Sequence, residues 1–136
     1  QILHNFLQYR TYHGCAMPIH HQLGSIAAWN DEAHVIANRQ QYRDKFAAVL
    51  AQFNGHLAVA APDAGFYLWP ETPVSDIEFA RQLYAGENVT VLPGRFLARE
   101  SGGINPGENR VRMALVATAE HCVEAAQRIV HRLGKL

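Results

Sequence analysis

Apolar positions fall at helical spacing as far as Phe53 and change period after it. Ile2, Leu3, Phe6, Leu7 and Arg10 share one helical face until Gly14 and Pro18 break the run. Leu23, Ile26 and Ala27 form a second stripe over His20 to Trp29, just past Pro18. Asn30-Asp31-Glu32 reads as a cap and acidic first turn for a longer helix to Phe53, with Ala33, Ile36, Phe46, Leu50 and Phe53 inward. Asn54-Gly55 is its stop signal. Arg39, Arg43, Asp44 and Lys45 mark the opposite, solvated face.

Beyond Gly55 the pattern is that of short strands. Leu57 to Ala60 and Phe66 to Trp69 predict a hairpin joined by Ala61-Pro62-Asp63-Ala64-Gly65, whose Pro, Asp and Gly are turn residues. Ser75-Asp76-Ile77-Glu78 is a capping box that opens a helix through Tyr84, with Gly86 closing it. Val89 to Leu92 predicts a strand that stops at Pro93-Gly94. Arg95 to Asn109, with Gly102, Gly103, Pro106 and Gly107, predicts a long flexible loop of the kind that often serves as a lid. Thr118 caps a final helix with Cys122, Ala125, Ala126, Ile129 and Leu133 as its buried stripe and Arg128, His131 and Arg132 toward its C-terminal end. The sum is α+β, or part of an α/β protein: helices first, then a short sheet with helices on one face.

The stretch Asn105 to Val116 carries the most chemistry. On a strand Arg110, Arg112, Ala114 and Val116 share one face and Val111, Met113 and Leu115 the other. Both faces turn apolar beyond Arg112, which predicts cover on both sides and places Arg112 near the mouth of a buried element. A guanidinium there suits a planar carboxylate, whose two oxygens its rigid fork can pair together. The commoner arrangement is an internal salt bridge, and Glu108 and Glu120 are the partners within reach in sequence.

Composition narrows the classes. Twelve basic and twelve acidic residues balance, so nothing favours nucleic acid or an acidic membrane as partner. No apolar run approaches the roughly 18 residues of a membrane span, and no signal segment opens the chain. Cys15 and Cys122 form no CxxC pair, which fits free thiols in a reducing compartment, the cytoplasm by default. The eight histidines have no HExxH spacing, and adjacent His20 and His21 point to different helix faces, so no metal site is expected. Cys15 beside His13 could pair a thiol with a base, yet no third residue orients them. Gly102-Gly103 and Pro106-Gly107 lack the patterns of phosphate loops. Tyr9, Tyr12 and His13 near Gly14 form an aromatic, polar cluster that suits interface packing, with part of a pocket wall as the alternative. Gln1 opens inside an apolar helical pattern without a cap, which predicts that the chain is a fragment.

Gly65-Phe66-Tyr67-Leu68-Trp69, Val91-Leu92-Pro93-Gly94 and Asn109-Arg110-Val111-Arg112-Met113-Ala114-Leu115 together resemble the C-terminal segment of fold type I, class I/II pyridoxal-phosphate aminotransferases, over essentially the whole chain. Tyr9-Arg10-Thr11-Tyr12-His13-Gly14, Ala28 to Val35 and Asn105-Pro106-Gly107 resemble the bacterial N-succinyldiaminopimelate aminotransferases of lysine biosynthesis within that family. The resemblance implies an interdomain helical segment over 1–54 and a small C-terminal α+β domain over 55–136, with the large cofactor-binding domain absent. It places Arg112 where the family pairs an arginine with the substrate α-carboxylate. It assigns the cofactor's lysine, the aspartate for its pyridine nitrogen and its phosphate-binding group to the large domain; here lysine occurs only as Lys45 and Lys135. No catalytic, cofactor-binding or metal-binding residue is therefore expected in this chain, which alone should be inactive. Implied for the parent enzyme are pyridoxal phosphate, an amino acid and a 2-oxo acid as substrates, glutamate as donor, and a homodimer. The rival class is a free-standing α+β module that binds a small carboxylate through Arg112.

Overall fold

Residues 1–14 and 16–136 are described by a computed structural model, in which two compact units follow one another, Gln1–Asn38 and Arg39–Leu136. The first unit holds α1 (Ile2–Tyr12), α2 (Ile19–Asn30) and the start of α3 (Ala33–Phe53). Asp31 caps α3 as expected, its Oδ1 accepting from the N–H of Ala33 at 3.1 Å. Tyr9 and His13, one helical turn apart, stack with ring centroids 4.6 Å apart. Neither α1 nor α2 has a buried residue, and Phe6, Leu7, Leu23 and Trp29 are all exposed.

The second unit takes the rest of α3, then β1 (Tyr67–Leu68), α4 (Asp76–Glu87), β2 (Leu92–Pro93), a single 3-10 turn (Gly94–Phe96), β3 (Val111–Ala114) and α5 (Ala119–Leu133). The sheet is antiparallel in the order β1-β3-β2, so the arginine strand is central. Two of the helix starts follow directly from sequence chemistry. Ser75 Oγ accepts from the N–H of Glu78 and Thr118 Oγ1 from that of His121, each at 3.3 Å. Below the sheet Leu68, Val111 and Met113 pack with Phe79 and Leu83 of α4, Ile129 and Ala126 of α5, and Val49 and Phe53 of α3. Arg132 ties α5 to α4 through the Gln82 Oε1, and Arg128 donates to the Glu87 carbonyl.

Several expectations are corrected. Leu57 to Ala60 is irregular rather than a strand, although Leu57 and Val59 rest on the core, and the proposed hairpin does not form. Segment 66–70 instead pairs with β3: Leu115 donates to the Phe66 carbonyl and Val111 to that of Pro70. Pro62 follows Leu57 to Ala60 and Pro70 follows the two-residue β1, and neither proline can donate to a ladder between the two segments. Helix α4 runs through Gly86 to Glu87 and ends at Asn88, whose φ of 53° supplies the left-handed cap assigned to Gly86. Ala33 and Ile36 are exposed, and Val49 is the buried residue that the helical stripe omitted. Within the second unit strand β3 packs on the core through one face only. Val111, Met113 and Leu115 are buried, whereas Ala114 and Val116 are exposed and Arg112 is half-buried.

Candidate functional site

The uncovered face of β3 is the floor of a cleft. Tyr67 pairs with Ala114 and Leu68 with Met113, so the same register sets Trp69 opposite Arg112 and brings Tyr67, Trp69 and Arg112 to one face. Arg112 Cζ lies 5.9 Å from the centre of the Tyr67 ring, within the range of a cation–π contact. With Leu97, Ala98, Pro106 and Gly107 these three residues line a cleft of about 420 Å³. Among the described residues Arg112 is its only charged lining residue.

Three arginines approach this end of the sheet, and two are already committed. Arg110 pairs with Glu71 and donates to the Trp69 carbonyl. Arg95 pairs with Asp76 through Nε and a terminal nitrogen, at 2.8 and 2.7 Å, and its other carboxylate neighbour is Glu108 at 3.5 Å. Among the described residues Arg112 has no ion pair. The internal bridges weighed from sequence therefore do not form: Glu108 belongs to Arg95, and Glu120 sits in the first turn of α5.

The walls are held by two glycines. Gly94 and Gly107 meet backbone to backbone, and neither has a positive φ, so glycine is needed here for close approach. A Cβ on Gly94 would overlap the Gly107 carbonyl and stand 2.7 Å from that of Arg110 and 2.8 Å from Trp69 Cη2. The Gly94 N–H also donates to the Arg110 carbonyl at 2.7 Å. The expected free loop from Arg95 to Asn109 is thus pinned at both ends. Its first residues form the 3-10 turn, and a bridge between Ser101 and Ile104 folds its tip.

Asp76 is the buried acid under this neck, with no solvent exposure. Burial pushes its carboxyl up, but hydrogen bonds from the side chain and backbone N–H of Arg95 outweigh that and hold it below the ordinary range. A depressed folded value stabilises above the unfolded one and is lost as pH falls through it. We therefore expect the thermal midpoint to fall on acidification through and below the ordinary carboxylate range, and Asp76→Asn to flatten that acid limb while lowering the neutral midpoint by several degrees. Melting curves across pH check it, and parallel curves for both proteins would dismiss the linkage.

The other candidate residues stay apart. Cys15 lies outside the described residues, which leaves the His13 and Cys15 pairing there. Cys122 is buried, and burial pushes its thiol up, the opposite of an activated nucleophile. Among the described residues no three potential metal ligands converge, and no helix is long and apolar enough to cross a membrane. Tyr67, Trp69, Asp76, Arg95 and Asn105 had no site role from residue chemistry. Tyr67 and Trp69 could have been found from the alternation about Leu68 once that segment was paired with the arginine strand.

The family model for aminotransferase class I and II matches residues 5–129. A solved aminotransferase from Neisseria meningitidis is 52% identical, with a TM-score of 0.86 over 96% of this chain and 33% of that one. A probable N-succinyldiaminopimelate aminotransferase from Thermus thermophilus is 32% identical, with a TM-score of 0.66 over 79% of this chain and 28% of that one. A probable aminotransferase of Mycobacterium tuberculosis is 32% identical over 130 residues, 95% of this chain and 29% of that protein. The chain thus spans about a third of the length of the relatives it matches.

Proposed function

Because the chain belongs to the class I and II aminotransferases, we propose that it forms the substrate-carboxylate side of an enzyme that moves an amino group between an amino acid and a 2-oxo acid. The observation that carries this reading is Arg112, left without a carboxylate among the described residues while Arg95 and Arg110 are both paired. The α-carboxylate common to both substrates is the anion its fork suits. The Tyr67 ring lies within cation–π range of the guanidinium, and Trp69 and Pro106 line the cleft beside it. Binding there orients the substrate, which is a matter of geometry more than of acid–base chemistry.

Pyridoxal phosphate, when bound, supplies the electron sink for such a transfer. The residues of this chain do not by themselves fit it. Lys45 Nζ donates to the Leu115 carbonyl at 3.2 Å and lies 5.0 Å from the Tyr42 ring centre, and exposed Lys135 is beside the last residue. Neither lines the cleft. Asp76, the buried acid, is held by Arg95. The cofactor is therefore assigned to a domain outside these residues, with 1–54 as the helical connection and 55–136 as the small domain, although the compact units divide earlier, after Asn38. The exposed apolar side chains of α1 and α2 support a setting in which that domain, or the second subunit of a homodimer, covers them.

The likeness to the Thermus thermophilus protein supports N-succinyldiaminopimelate as the amino acid, with glutamate as the usual donor in the reverse direction, and hence a place in lysine biosynthesis. The full-length protein should transaminate N-succinyldiaminopimelate with 2-oxoglutarate, and the 136-residue chain alone should not turn over. Activity confined to other amino acids would sink the narrower substrate. Turnover by the purified chain would sink the division of labour.

A further inference from the structure

Asn105 does not line the cleft, yet its side chain bridges the two segments that build the cleft wall. Its Nδ2 donates to the Arg95 carbonyl at 3.3 Å, and its Oδ1 accepts from the N–H of Gly107 at 2.9 Å. Gly107 is buried, so without that acceptor a buried backbone donor would be orphaned. Pro106 favours an extended Asn105 and pre-sets its own φ for the first corner of a turn. The Glu108 N–H closes that turn on the Asn105 carbonyl at 3.1 Å. The turn then delivers the Glu108 carboxylate to Arg95 rather than to Arg112. One side chain thus joins the Asp76–Arg95 pair on one side to the Gly94–Gly107 contact on the other.

We infer that Asn105 is a positioning residue for the carboxylate cleft: it holds the Pro106–Gly107 wall against Arg112 and sets substrate affinity without touching substrate. The inference rests on Arg112 as the carboxylate anchor. A residue that only stabilised the fold would change the melting temperature and leave the balance of KM and kcat alone. In the full-length enzyme Asn105→Ala should raise the KM for the amino acid about ten-fold, with kcat within about two-fold of the parent. Asn105→Ser keeps a hydroxyl for the Gly107 N–H but cannot reach the Arg95 carbonyl, and should raise KM only about three-fold. This graded rise in KM supports the inference. Unchanged KM in both variants, or a fall in kcat at constant KM, overturns it, and if Asn105→Ala does not fold the serine variant decides on the same criteria. The anchor is tested separately: if Arg112→Lys leaves KM unchanged, the functional reading fails whatever Asn105 does.

Discussion

Arg112→Lys in the full-length enzyme is expected to lower kcat/KM about 100-fold for both amino acid and 2-oxo acid, most of it through KM. A guanidinium can give a carboxylate two parallel hydrogen bonds, whereas an ammonium offers a point charge on a flexible stem. Hydrogen bonds to charged groups contribute about 1.5 to 3 kcal/mol each, so loss of one well-aligned bond corresponds to between about ten- and 150-fold, and a weaker cation–π contact with Tyr67 adds to it. On the reading proposed for Arg112 the carboxylate contact is the same in ground and transition states, which puts the expected loss mainly in KM. Steady-state kinetics with both substrates measure it. Equal losses for the two are the signature of a shared α-carboxylate, and a loss for one alone would move Arg112 to a side-chain subsite.

Gly107→Ala should be strongly destabilising. The added methyl would overlap the carbonyl of Gly94 and come within 2.9 Å of the Ala98 Cβ, atoms that are backbone or short and cannot swing aside. Overpacking of this kind costs about 3 kcal/mol, which lowers the melting temperature by roughly 10 °C or more. Gly86→Ala is the control. Its Cβ would meet only the flexible end of Arg132 at 3.7 Å, inside a helix, and should stabilise by up to about 1 kcal/mol. Thermal melts of the two variants should move in opposite directions. If Gly107→Ala melts with the parent, the backbone contact does not hold the loop neck.

The last three helices were legible because their starts carry local chemistry, and the first two from apolar spacing alone. Asp31, Ser75 and Thr118 each bond a backbone N–H two or three residues ahead, and such signals need no knowledge of the rest of the fold. The sheet was not. Strands of two residues hold too little alternation to show their partner, and the segment around Tyr67 pairs with residues more than forty positions later rather than with its neighbour. Arg112 could be singled out, but whether it was free could not. That depended on Asp76 and Glu108 being drawn to Arg95, contacts set by a helix start and a turn that are distant in sequence. Asp76 looked from sequence like an ordinary acid in a capping box. Its burial beneath the 3-10 turn is a tertiary fact with no local signature.

The Gly94–Gly107 contact closes the intervening segment into a ring at its base. What happens at the tip, around Ser101 and Ile104, is then mechanically insulated from the cleft, as the bowl of a purse is from its drawstring. Insertions and deletions at the tip change only the perimeter of the ring, and loop-closure entropy grows slowly with length. The tip can therefore drift in length and composition while the cleft around Arg112 keeps its shape, which gives evolution a place to add contacts without disturbing the neck.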